Sequence, residues 1–89
     1  MAQRALQIIN EKGLHARASA KFVECVEGFD ASAVVRREGQ HAEGDSIMGL
    51  LMLVAACGTS IEVETRGNDA DALMDALAAL VADKFGEPM

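Results

Sequence analysis

The sequence predicts an α+β fold: an open-faced β-sandwich in the order β-α-β-β-α-β-α, with a four-stranded antiparallel sheet and three helices on one face. Three observations predict it. Short strand-like and helix-like segments alternate and are divided by Gly-containing turns. Residues 60–66 (SIEVETR) alternate cleanly, with Ile61 and Val63 inward and Glu62 and Glu64 outward, so one sheet face meets water. The helical segments carry apolar residues at i, i+3, i+4 and i+7, so each has one face to bury.

The elements follow in order. Residues 4–9 (RALQII) form the first strand, with Leu6 and Ile8 on one face, and a loop runs from Asn10 to Leu14. A helix spans Ala16 to Glu27, buries Ser19, Phe22, Val23 and Val26, and closes at Gly28. Residues 32–37 (SAVVRR) make the second strand, with Ala33 and Val35 inward, and the Glu38-Gly39 turn leads to a third strand over Gln40–Glu43. A short helix starts at Ile47, with Ile47, Leu50, Leu51 and Val54 as its stripe and Gly58 marking its end. After the 60–66 strand, Asn68 caps the last helix, and Asp69 and Asp71 favour its positive end. Leu73, Leu77, Leu80 and Val81 form its buried stripe, and Lys84, Gly86 and Pro88 stop it.

Composition narrows the function classes. A chain of 89 residues makes one domain, residues 1–89. With 51% hydrophobic residues but only three Phe and no Tyr or Trp, its core is aliphatic and it lacks the stacking residues of single-strand nucleic-acid binders. A net charge of -6 repels a phosphate backbone and an anionic membrane surface, so neither nucleic acid nor membrane insertion is expected. Cys25 and Cys57 are too few for a disulfide framework. With two Cys and two His, and no ligand spacing among them, a structural zinc site is not expected, and no other metal and no cofactor is implied within the chain. The first ten residues carry no apolar stretch of signal-peptide length, and the run Ile47–Cys57 is about half the ~20 residues of a membrane span. These features predict a soluble cytoplasmic protein with that run as a buried helix.

The start of the first helix, Gly13-Leu14-His15-Ala16-Arg17-Ala18-Ser19, breaks the usual rules. His15 occupies the cap position in place of Ser, Thr, Asp or Asn, and Arg17 sets a cation against the dipole. One account covers both. An uncapped start leaves backbone N–H groups free, here those of Ala16, Arg17 and Ala18, and with the dipole they make an anion site. Arg17 adds a guanidinium suited to phosphate oxygens. His15, with an ordinary imidazole pKa of about 6.5, supplies a nucleophile beside that cradle. By residue type alone, His15 and Arg17 are equally readable as solvated surface residues.

Gly13-Leu14-His15-Ala16-Arg17 resembles the phosphohistidine motif of the HPr phosphocarriers of the phosphoenolpyruvate-dependent phosphotransferase system, and the resemblance extends over the whole chain. It implies an HPr-like fold. It also implies phosphorylation of His15 on Nδ1 by enzyme I and onward transfer to an enzyme IIA, with Arg17 steadying the phosphate. Such a protein is a stoichiometric carrier and not an enzyme. The family usually has Pro after the Arg, where this chain has Ala18, which supplies an extra N–H.

Ser46 opens the second helix and reads as a good N-cap. Ser46-Ile47-Met48-Gly49 also resembles the regulatory site phosphorylated by the HPr kinase/phosphorylase, and a phosphate there would sit favourably at a helix start. Met48 and Met52 fall off the buried stripe. With the resemblance, this points to partner docking through Ala20, Ile47, Met48 and Met52. His41 receives no role. Acidic and neutral residues near the docking face (Glu24, Glu27, Asp45, Gly49) leave mainly Arg17 and Lys21 as cations and favour a nitrogen-type regulatory chain over a sugar-uptake carrier. A non-catalytic module that binds an anion or a partner through the same helix start is the alternative from another class.

Overall fold

The computed structural model describes residues 1–89. Its elements are β1 (Ala2–Gln7), α1 (Ala16–Glu27), β2 (Ser32–Arg37), β3 (Gln40–Glu43), α2 (Ile47–Met52), β4 (Ser60–Arg66) and α3 (Ala70–Ala82), with a single 3-10 turn over Lys84–Gly86. The sheet is antiparallel throughout, in the order β1-β4-β2-β3. Register places Leu6 opposite Ile61 and Val35 opposite Val63, so the apolar positions of three strands fall on one face. Phe22, Val23 and Val26 of α1, Leu50 of α2 and Leu73, Leu77 and Val81 of α3 cover that face and close an aliphatic core.

The other sheet face stays polar. Glu64 points outward as the alternation requires, yet it is nearly buried, because Arg36 and Arg66 fold over it at 3.3 Å and 2.6 Å. The hydrogen bond from Arg66 is the main cause that holds its carboxyl below the usual range.

Four expectations need correction. β1 spans 2–7 and not 4–9, because β4 extends to Arg66 and pairing with it reaches back to Ala2. α2 is two turns long and stops at Met52, well before Gly58, because Val54 adopts a left-handed conformation at φ +52°. Its buried partners are therefore Leu50 and Leu53, while Ile47 and Val54 are exposed and Leu51 is half-buried. The cap residue of α3 is Asp69 rather than Asn68 and makes no capping bond. Both side chains instead fasten Asp30: Asp69 accepts its backbone N–H at 2.9 Å, and Asn68 donates to its carboxylate at 2.9 Å. Finally, the residues after α3 do more than stop it. Lys84 and Phe85 take left-handed conformations at φ +57° and +56°, which buries Phe85 completely and turns the last residues back towards the start of α1.

Candidate functional site

His15 is the N-cap of α1, with extended backbone at φ -80° and ψ -177°. Its ring Nδ1 accepts the backbone N–H of Arg17 at 3.2 Å. The helix start is therefore not uncapped, as the residue types suggested; the imidazole itself serves as the capping acceptor. The amides of Ala16 and Ala18 form no backbone hydrogen bond, and no acidic residue lies in the first turn to neutralise the positive helix end. Arg17 is exposed and forms no ion pair.

The second ring nitrogen, Nε2, pairs with a carboxylate oxygen of Glu87. An ionised carboxylate only accepts, so Nε2 carries the proton and Nδ1 keeps its lone pair at the helix start. Glu87 is 72 residues from His15 in sequence, and no spacing motif announces it. Asn10, fully buried, donates to Glu87 at 2.9 Å and to the Gly13 carbonyl at 2.8 Å. The bond from Asn10, followed by that from His15, holds the Glu87 carboxyl below the usual range. The returning tail is tied down twice more: Glu11 donates its backbone N–H to the Met89 carbonyl at 3.0 Å, and the Lys21 ammonium donates to the Phe85 carbonyl at 2.6 Å.

The loop that presents His15 rests on the chain segment after α2. The Leu14 N–H donates to the Ala55 carbonyl at 2.9 Å, and the Ser19 hydroxyl donates to the Leu14 carbonyl at 3.3 Å. Gly13 makes the close crossing possible. Its φ is +68°, and a Cβ there would stand 2.6 Å from the Ala55 carbonyl oxygen and 2.9 Å from the Ala56 Cα.

Ser46 is the N-cap of α2, and its hydroxyl oxygen accepts the Gly49 N–H at 3.0 Å. Beside it, Ile47, Met48 and Met52 are exposed, the two methionines to 70% each, and α2 packs against α1, where Ala20 is half-buried. Cys57 is exposed; Cys25 is half-buried, and burial pushes its thiol pKa up. No three His, Cys, Asp or Glu side chains converge as metal ligands would, and no helix is long and apolar enough to cross a membrane.

Residues 2–83 match the family profile described as "PTS HPr component phosphorylation site". The chain belongs to the HPr family of phosphocarriers. It is 46% identical to the phosphocarrier protein HPr of Cupriavidus necator, with 98% of each chain covered. It is 40% identical to the phosphocarrier protein NPr of Escherichia coli K12, with 96% of each covered. A crystal structure of an HPr from Thermoanaerobacter tengcongensis superposes with a TM-score of 0.94 at 31% identity over all of both chains. HPr proteins are thus the fold and functional relatives of this chain, which is a phosphocarrier of the phosphotransferase system.

Proposed function

We propose that His15 carries the phosphoryl group on Nδ1, taking it from phospho-enzyme I and passing it to an enzyme IIA. The observation that carries this is the division of the ring. Glu87 engages Nε2, so the nucleophilic lone pair lies on Nδ1, facing the positive end of α1. In the transfer, the Nδ1 lone pair attacks phosphorus in line as the bond from phosphorus to the donor's leaving atom breaks, and that atom keeps the electron pair. The Nε2 proton stays in place, and the Glu87 carboxylate offsets the positive charge that the phosphorylated ring acquires. The Arg17 N–H is released from Nδ1 and, with the Ala16 and Ala18 amides and the Arg17 guanidinium, meets the phosphoryl oxygens. Ala18 in place of the family's Pro adds one donor to this cradle. The chain is consumed and regenerated as a carrier in the cytoplasm and turns over no substrate of its own.

Ala20, Ile47, Met48 and Met52 form the docking surface for enzyme I and enzyme IIA in this reading. Ser46 is the regulatory site for an HPr kinase/phosphorylase: its phosphate would lie against the amides of α2 and add about two negative charges beside that surface. The weak positive charge of the face favours a nitrogen-type regulatory chain. The sugar-uptake alternative is kept open by relatives of both names. Incubation with phosphoenolpyruvate, magnesium and a cognate enzyme I tests the carrier step by intact mass. One acid-labile phosphate on the wild type and none on His15→Ala is the expected result. Onward transfer to a nitrogen-type rather than a sugar-type enzyme IIA separates the pathways. If His15 is never modified while Arg17→Ala weakens anion binding, the protein is a binding module instead.

A further inference from the structure

Asn10 is fully buried, although its side chain is polar and it lies in the loop before α1. Its backbone carbonyl accepts the Gly13 N–H at 3.1 Å, and its amide nitrogen donates to the Gly13 carbonyl at 2.8 Å. The same carbonyl accepts the His15 N–H at 2.9 Å. Asn10 is therefore locked to the turn that presents His15. A planar amide holds its two N–H groups at a fixed angle. With one committed to Gly13, the direction of the other is set, and it meets Oε1 of Glu87 at 2.9 Å. The reverse orientation of the amide would put its oxygen against two acceptors, so the orientation is determined. No donor of the chain reaches that oxygen, so what the side chain contributes is its pair of donors.

Glu87 has competing partners. Lys12 and Arg17 line the same hollow as its side chain, and either cation could draw the carboxylate away from the ring. In the structure it pairs with neither. Oε1 takes the Asn10 bond, Oε2 engages Nε2 of His15, and Arg17 stays free of ion pairs. The bond from Asn10 is the main cause that holds the Glu87 carboxyl below the usual range, ahead of the bond from His15 and the attraction of Lys12. We propose that Asn10 is a positioning residue for phosphoryl transfer: it ties Oε1 of Glu87 to the His15 loop, which turns Oε2 to Nε2, leaves Nδ1 as the nucleophile and keeps the carboxylate off Arg17. Asn10 makes no hydrogen bond to the ring and acts through Glu87 alone. The inference rests on His15 as the phosphoryl acceptor and adds the residue that selects the partner of Glu87.

The test is a double-mutant cycle of wild type, Asn10→Ala, Glu87→Ala and the double variant, assayed with phosphoenolpyruvate and cognate enzyme I at varied concentrations of this chain. Asn10→Ala is expected to lower kcat at least about threefold with KM within about twofold, because the ring is oriented less well while docking is untouched. The double variant should be no slower than Glu87→Ala, since Asn10 has nothing to hold once the carboxylate is gone. Nitrogen NMR of the unphosphorylated protein supplies a readout that loss of stability does not move: the share of neutral His15 rings protonated on Nε2 should fall in folded Asn10→Ala. If Asn10→Ala does not fold, Asn10→Ser replaces it in every arm; its hydroxyl is one bond shorter than the amide and cannot serve Gly13 and Glu87 together. An unchanged kcat and an unchanged Nε2 proton overturn the role while leaving the carrier assignment intact. Independent, multiplying losses in the double variant also overturn it, because Asn10 would then act through the Gly13 turn and not through Glu87. Failure of the wild type to accept phosphate on His15 removes the carrier assignment and this role with it.

Discussion

Replacing Gly13 by Ala tests how the fold holds His15 in position. Two costs add. An L-residue in the left-handed region loses roughly 1–2 kcal/mol. The new Cβ would stand 2.6 Å from the Ala55 carbonyl oxygen and 2.9 Å from the Ala56 Cα, both backbone atoms. Overpacking of this kind costs about 1–3 kcal/mol. The stiffer unfolded chain returns about 0.4–1 kcal/mol. The net loss is roughly 1–4.5 kcal/mol, centred near 3, a large share of the stability of a small domain. In urea titrations of wild type and Gly13→Ala the midpoint should fall accordingly, and the melting temperature by roughly 10–25 °C. Gly39→Ala is the control. It has φ +81° with no atom within 4 Å of a new Cβ, so it should lose only the conformational part. Equal losses in the two variants, or a Gly13→Ala protein within about 0.5 kcal/mol of wild type, would refute the close crossing as the support of the His15 loop.

Glu87→Gln removes the charge opposite Nε2 while keeping an acceptor, so quenched-flow kinetics should show phosphorylation of His15 slowed several-fold in kcat with little change in KM. Glu64 has a folded-state pKa below its unfolded value of about 4.3. Its contribution to stability is complete above that value and is lost as pH falls through the folded one. Melting curves in acid should therefore fall more steeply for wild type than for Glu64→Gln. Ser46→Ala deletes the cap that accepts the Gly49 N–H and should cost about 1 kcal/mol in a urea titration. Ser46→Asp should hold the cap and stability while weakening phosphoryl transfer.

Most of the fold was legible because local rules and packing agree in it. The bounds of α1, β2, β3 and β4 follow from periodicity and turn residues alone, and the alternation of β4 already implies a sheet with one wet face. The misjudged segments are those where tertiary contacts override local pattern. The Ile47–Val54 stripe is helical in spacing, but a left-handed Val54 ends the helix early and trades Ile47 and Val54 for Leu53 in the core. At the site, His15, Arg17 and Ser46 stood out through position and residue type, since each lies at a helix start. The roles of Glu87, Asn10 and Gly13 did not, although Gly13 heads the motif, because those roles exist only once the chain end has folded back and two loops have crossed. That return depends on left-handed Lys84 and Phe85, residue types that carry no turn signal.

In the proposed function, the proton on Nε2 and the lone pair on Nδ1 make His15 a phosphoryl acceptor at the helix start. Nitrogen NMR of the ¹⁵N-histidine-labelled protein, before and after phosphorylation by enzyme I and phosphoenolpyruvate, distinguishes the two ring nitrogens. The expected result is a phosphorus-coupled Nδ1 and an Nε2 that keeps its proton in both states. Phosphate on Nε2, or an unchanged His15 ring in the presence of an active cognate enzyme I, would contradict it.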